Sequence, residues 1–333
     1  MNIQKRAAVA DAGPRNIADG LLRWESILVL LLAIVIAGNT AISPYFLDIY
    51  NLSDATYNFS EKALVALAMA LLIIVREIDL SVAAIIAVAS LATGLAAQAG
   101  LPLPMLFLAG PLVGIACGMV NGFLVTRLAL PSIVVTIGTM SLFRGIAQVV
   151  LGDQVINKYP AGLTTIGQSY LVKWPPLPYS FVLFLAAAVV FAIVLHKTAI
   201  GRKLYAIGNN PMAARFSGIP VDRIRFWLFV LTGLLAGIAA TLLTARIGST
   251  RPNIALGWEL DIITMVILGG VSIAGGSGTI PGVVLAIFIL GLITFGLSLV
   301  NVPGIVISVI LGCLLIASIA LPIVIRKLLG RRA

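Results

Sequence analysis

Charge is what this chain lacks. Of 333 residues only 10% are Asp, Glu, Lys or Arg, 12 of them acidic, and there is one histidine and two cysteines. A water-soluble domain is about one-quarter charged, so a soluble globular enzyme is excluded. The single histidine, His196, stands beside Lys197 at the end of an apolar run, and no cluster of His, Cys or carboxylates has ligand spacing. Metal chemistry and catalysis therefore have no residues to work with, and neither a metal site nor a catalytic residue is expected. Cys117 and Cys313 each lie inside long apolar stretches and read as small buried residues. No G-x-x-x-x-G-K-[ST] phosphate cradle occurs, and the glycine-rich Gly276–Gly282 segment lacks its lysine. It reads as a tight turn between helices.

What is present is apolar: 60% of the residues, with a mean hydropathy of +1.12. Crossing a bilayer takes about 20 residues of helix. Uncharged stretches run over 26–47, 80–126, 174–195 and 262–325. The second must turn back once, at Gly100, Pro102 and Pro104, and the last twice, at Gly275–Gly278 and Asn301–Gly304. The expectation is an all-α integral membrane protein of about ten transmembrane helices, some short or interrupted, at 26–47, 60–76, 79–98, 103–126, 131–150, 178–196, 226–245, 259–274, 279–299 and 303–325.

Lys and Arg set the orientation, because positive charge is retained on the cytoplasmic side. With the N-terminus inside, sixteen basic residues fall in inner segments and five (Lys62, Lys158, Lys173, Arg246 and Arg251) in outer ones, with Arg144 left within a helix. Both termini are thus expected in the cytoplasm. The first helix is read as retained, since its cleavage would leave an odd number of crossings and put the basic C-terminus outside. The division is a cytoplasmic tail at 1–25, one transmembrane domain at 26–325 with a cytoplasmic loop at 196–225, and a basic cytoplasmic tail at 326–333. The net charge of +10 suits the anionic inner surface of the membrane and calls for no nucleic acid.

The 196–225 loop holds six Lys/Arg against Asp222 alone. Asn209 or Asn210 is placed to cap a short helix with Pro211 at its first position, Met212–Phe216 forming about two turns and Gly218 a left-handed stop. So short a helix is not stable alone. Met212 and Phe216, four apart, share a face, with the small Ala213 allowing close approach, and either a partner protein or the lipid surface would hold it.

In the membrane, ionisable residues mark a pathway or a buried pair. Glu61 and Lys62 are expected to begin a helix near the outer interface, and Glu259 and Asp261 to sit in a first turn. The stretch from Lys62 to Arg76 is too short to span. It is read as ending inside the protein, with Asp79 capping the next helix at the Ser81 and Val82 amides, or as a re-entrant turn held by Arg76 with Asp79 or Glu77. Asp79, Ser81, Asn121 and Arg144 are the candidate substrate-pathway residues, Arg144 facing inward with Asn121.

The loop segment Gly201-Arg202-x-x-Tyr205-Ala206-Ile207-Gly208-x-Asn210-x-x-Ala213-Ala214-Arg215-x-x-Gly218-Ile219 resembles the coupling loop of sugar permeases of the ribose, xylose, galactose and rhamnose type, membrane subunits of ATP-binding-cassette importers. Glu77–Val82, Pro131–Met140 and Leu268–Gly278 resemble three further blocks of that family, although Glu77 stands where the family usually has Gly. The resemblance implies a permease dimer, of identical or related chains, in the bacterial inner membrane. It implies separate ATPase subunits that bind the ATP, no cofactor in this chain, and a periplasmic sugar-binding protein. It assigns ATPase docking to Gly208, Asn210, Met212, Ala213, Ala214, Arg215, Phe216 and Gly218. The cargo implied is a monosaccharide. A rhamnose-type permease is the nearest match, with ribose, other pentoses and a quorum-signal sugar derivative left open. The alternatives outside this class are an ion-coupled secondary transporter of a small polar solute and a channel.

Overall fold

The computed structural model describes residues 24–328. The expected N-terminal tail lies outside them except for its last two residues, as do the last five residues of the C-terminal one. Ten helices correspond to the ten expected segments: α1 (Trp24–Ile42), α2 (Ile49–Ile74), α3 (Val82–Gln98), α4 (Leu103–Arg127), α5 (Ser132–Leu151), α7 (Tyr179–Lys197), α10 (Val221–Ile247), α11 (Trp258–Leu268), α12 (Ile280–Leu299) and α13 (Gly304–Leu328). Between α5 and α7 lie a short helix α6 (Ala161–Gln168) and a hairpin of β1 (Tyr170–Lys173) and β2 (Pro176–Pro178), neither of them expected. The loop after α7 carries α8 (Ala199–Asn209) and α9 (Pro211–Phe216). Seven of these helices are long and apolar enough to cross a membrane. The 11-residue α11 is not, since its length is about 16 Å against a hydrocarbon core of about 30 Å.

Two helices form the centre. Every residue of α2 from Ala63 to its end is buried, and α10 makes the most extensive helix contact of the fold, with α4. That contact is built from glycine at every fourth position of α4: Gly110, Gly114, Gly118 and Gly122. The first three meet Gly233 and Gly237 of α10 and the last meets Phe226, and a Cβ at Gly114 would overlap the carbonyl oxygen of Gly233. Lipid offers helices no hydrophobic driving force to associate, so close backbone approach supplies the van der Waals contact instead.

Helix α2 corrects the reading of its charges. It begins eleven residues before the expected start, with Asp48 as N-cap accepting from the Tyr50 and Asn51 amides at 2.9 and 3.1 Å. Glu61 and Lys62 therefore do not open a helix; they lie in the middle of one. Glu61 is fully buried and receives Arg246 Nε at 2.8 Å, while Lys62 meets Asp261 at 2.5 Å and lies over the Trp258 ring. The helix is thus long enough to span, and its charges are met by neighbours on α10 and α11.

The candidate coupling site

Two of the chain breaks evident in the sequence come together at one place. After α2 the chain turns at Arg76, whose φ of 68° is unusual for a residue with a side chain. After α11 it runs through Gly269–Gly278 before α12. The Gly276 amide donates to the Ile74 carbonyl at 2.9 Å, joining the two breaks directly. The end of α8 sits on this joint. A Cβ at Gly208 would overlap both the Ile74 carbonyl and the Gly276 amide, so only glycine fits.

Side chains then lock the joint. Arg76 does not bond Asp79 or Glu77, as a self-contained re-entrant turn would require. Its Nε donates to the Gly208 carbonyl at 2.6 Å and its Nη2 to the Asn209 carbonyl at 2.8 Å, placing positive charge on the carbonyl end of α8. Asn209 Nδ2 donates to the Gly276 carbonyl at 3.3 Å, and the Tyr205 hydroxyl to that of Gly278 at 2.7 Å. Glu77 pairs instead with Arg225 of α10 at 3.1 Å. Burial pushes the Glu77 carboxyl above its ordinary range, against the opposing pull of a Ser132 hydrogen bond and of Arg225.

The short helix α9 follows from its sequence. Asn210, not Asn209, is the N-cap, with its Oδ1 accepting from the Met212 and Ala213 amides at 3.1 and 3.0 Å. Pro211 holds the first position and Gly218, at φ 79°, ends the turn. Ala214 is buried and Gly208 packs directly onto the joint, so neither presents a surface to a partner. Met212 and Phe216 are 62% and 87% exposed, large apolar side chains with no cover. Asn210, Ala213, Arg215 and Gly218 are exposed beside them, and Arg215 pairs with Asp222 at 2.5 Å.

Of the four pathway candidates the structure gathers three. Asp79 Oδ1 accepts from the Ser81 amide at 2.9 Å and the Ser81 hydroxyl at 2.6 Å. Asn121 Nδ2 donates to Ser81 Oγ at 2.8 Å and to Asp79 Oδ2 at 3.3 Å. All three are fully buried, so this cluster ties the start of α3 to α4. Arg144 does not face Asn121. It donates to the carbonyls of Pro252 and Ile254 at 2.9 and 2.8 Å and of Ala83 at 3.1 Å, pinning the loop between α10 and α11. A hydroxyl chain that the sequence reading missed, Ser90, Thr244, Thr250 and Tyr159, holds the same loop through contacts of 2.7 Å. Spread over three distant stretches, it leaves no motif. The glycines of α4 do leave one, the four-residue repeat in an apolar helix, which a count of charges does not detect.

Among the described residues no group of three or more His, Cys, Asp or Glu could hold a metal. Seven helices long and apolar enough to cross a membrane, packed about a glycine-seated joint, define a multi-pass membrane protein. Residues 51–319 match the family described as branched-chain amino acid transport system, permease component. The chain belongs to this family, and it is a multi-pass permease of the bacterial inner membrane. It is 34% identical, over 302 residues, to the autoinducer 2 import system permease proteins LsrD of Escherichia coli strain K12, Escherichia coli O157:H7 and Shigella flexneri. These alignments cover 89% of this chain and 91% of each relative. No solved structure matches.

Proposed function

We propose that this chain is the membrane subunit of an ATP-binding-cassette importer for a small, uncharged, polyhydroxylated solute of monosaccharide size, driven by a separate ATPase that binds the ATP. The observation carrying the reading is α9: an apolar pair, Met212 and Phe216, exposed on a six-residue helix that the rest of the molecule anchors firmly. A helix so short needs external support, and Asn210, Ala214 and the Gly208 joint supply it from within. The uncovered face then suits a groove on the ATPase. Motion imposed on α9 passes through α8 into the ends of α2 and α11, because Arg76, Gly208 and Gly276 bind the three together.

A second permease, identical or related, completes the channel in this reading, and a periplasmic binding protein delivers the solute. In this reading the 196–225 loop and both termini lie in the cytoplasm with ten passes between them, the pass of the short α11 being completed by the non-helical chain at Gly269–Gly278. Rhamnose finds no support in relatives named for autoinducer 2, and a sugar-derived signal fits those names better.

The test is co-purification with the cognate ATPase. Phe216→Asp and Met212→Asp are expected to abolish ATPase association while membrane insertion and yield stay normal. Retention of the ATPase by both variants would end the docking role. Ala214→Glu is a poor probe, because Ala214 is buried and the change would disturb the helix itself.

A further inference from the structure

The glycine contact between α4 and α10 ends at Gly122, where an added Cβ would sit 3.0 Å from the Phe226 ring. Beyond it an open cleft of about 1050 Å³ separates the C-terminal end of α4 from the N-terminal end of α10. Three arginines line this cleft: Arg215, which is ion-paired, and Arg127 on α4 and Arg223 on α10, both exposed and neither with an ion-pair partner among the described residues. The one acidic residue in the wall, Asp222, is taken by Arg215 at 2.5 Å. Phe123 and Trp227, each more than half exposed, form the apolar part of the wall, and Met119 continues the exposed face of Phe123 one turn further along α4.

We propose that this cleft binds the headgroup of an anionic phospholipid, the phosphate held by Arg127 and Arg223 and an acyl chain lying along Phe123 and Met119. Guanidinium groups meet phosphate oxygens in bidentate fashion. Tryptophan favours the headgroup level, and basic pockets between helices on the cytoplasmic side suit anionic lipid. The uncompensated charge argues for an anionic occupant, and the bare aromatic wall beside it for one with a hydrocarbon part. Free phosphate would satisfy only the first. The inference rests on the membrane reading above but not on ATPase docking.

The purified chain, without ATPase, tests it in detergent by native mass spectrometry and thermal shift, with phosphatidylglycerol, phosphatidylcholine or inorganic phosphate added. Phosphatidylglycerol is expected to remain bound and to raise Tm, and the other two are not. The double variant Arg127→Ala/Arg223→Ala is expected to weaken retention by about tenfold or more. Arg202→Ala/Lys203→Ala, which removes as much exposed charge elsewhere on the inner face, is expected to leave it unchanged. Should the double variant fail to fold, brominated lipid decides on the otherwise native protein: the fluorescence component lost in Trp227→Phe is quenched by brominated phosphatidylglycerol more than by brominated phosphatidylcholine. Equal retention of both lipids, equal loss in both double variants, or equal quenching overturns the site. So does a phosphate effect matching that of phosphatidylglycerol. Because no ATPase is present, failure here leaves the α9 reading standing, and failure of co-purification leaves this one.

Discussion

Gly114 and Gly233 face one another across α4 and α10 so closely that a Cβ on either would overlap the other's carbonyl oxygen. The relationship is reciprocal, so neither helix can yield by a simple shift along its axis. The two helices that meet here also carry Asn121 and Arg225, which reach the turn after α2.

Gly114→Val should therefore force the pair apart and lower stability by about 1–3 kcal/mol or more, the usual cost of overpacking. Gly138→Val in α5, where an added Cβ meets nothing within 4 Å, is the matched control and should cost little. Melting temperatures of the two variants in the same detergent check this. Equal losses would show that the α4–α10 seam is not tightly packed.

Glu61 and Arg246 form the second relationship open to measurement. Glu61 is fully buried and its Oε2 has no hydrogen-bond partner among the described residues, so removing the guanidinium leaves an uncompensated carboxylate. Arg246→Leu is expected to cost about 3–5 kcal/mol, and Glu61→Leu/Arg246→Leu to recover most of it. A double-mutant cycle on thermal or denaturant unfolding gives the coupling directly. Additive effects would mean the pair is not a unit.

Arg76 tests transmission separately from docking. Arg76→Leu removes both bonds to the end of α8 yet leaves the exposed face of α9 untouched. The assembled complex should retain its ATPase and hydrolyse ATP while uptake falls, so that more ATP is spent for each solute moved. Parallel assays of hydrolysis and uptake in proteoliposomes read the ratio. An unchanged ratio would place transmission elsewhere.

Most segments were legible because uncharged length is a strong signal: the helix expected at 103–126 is found at Leu103–Arg127, and that at 178–196 at Tyr179–Lys197. The same rule failed at α2. Counting charge treats Glu61 and Lys62 as breaks, but Arg246 and Asp261 neutralise them from parts of the chain about 190 residues away, which no local window can see. Helix α11 failed in the opposite sense. Its apolar run continues to Ala274, but the backbone leaves the helix at Gly269 to reach Ile74 and Gly208.

The short helix α9 was legible except for the choice between Asn209 and Asn210 as its cap, since capping is local chemistry: Asn210, Pro211 and Gly218 each act within a few positions of themselves. The partners of Arg144 were not. Its inward direction could be guessed from the cost of charge in lipid, but its targets are main-chain carbonyls, which every residue carries and no sequence advertises.

The seat beneath α8 is made largely from main-chain atoms: Ile74 offers a carbonyl and Gly276 an amide, and α8 meets them through Gly208, which has no side chain. Such a seat is blind to most substitutions among its neighbours. If α9 is the docking helix as proposed, the linkage between motor and channel can stay mechanically constant while the surfaces that meet solute and membrane diversify, and a chain of this kind can be refitted to a new cargo without rebuilding its transmission.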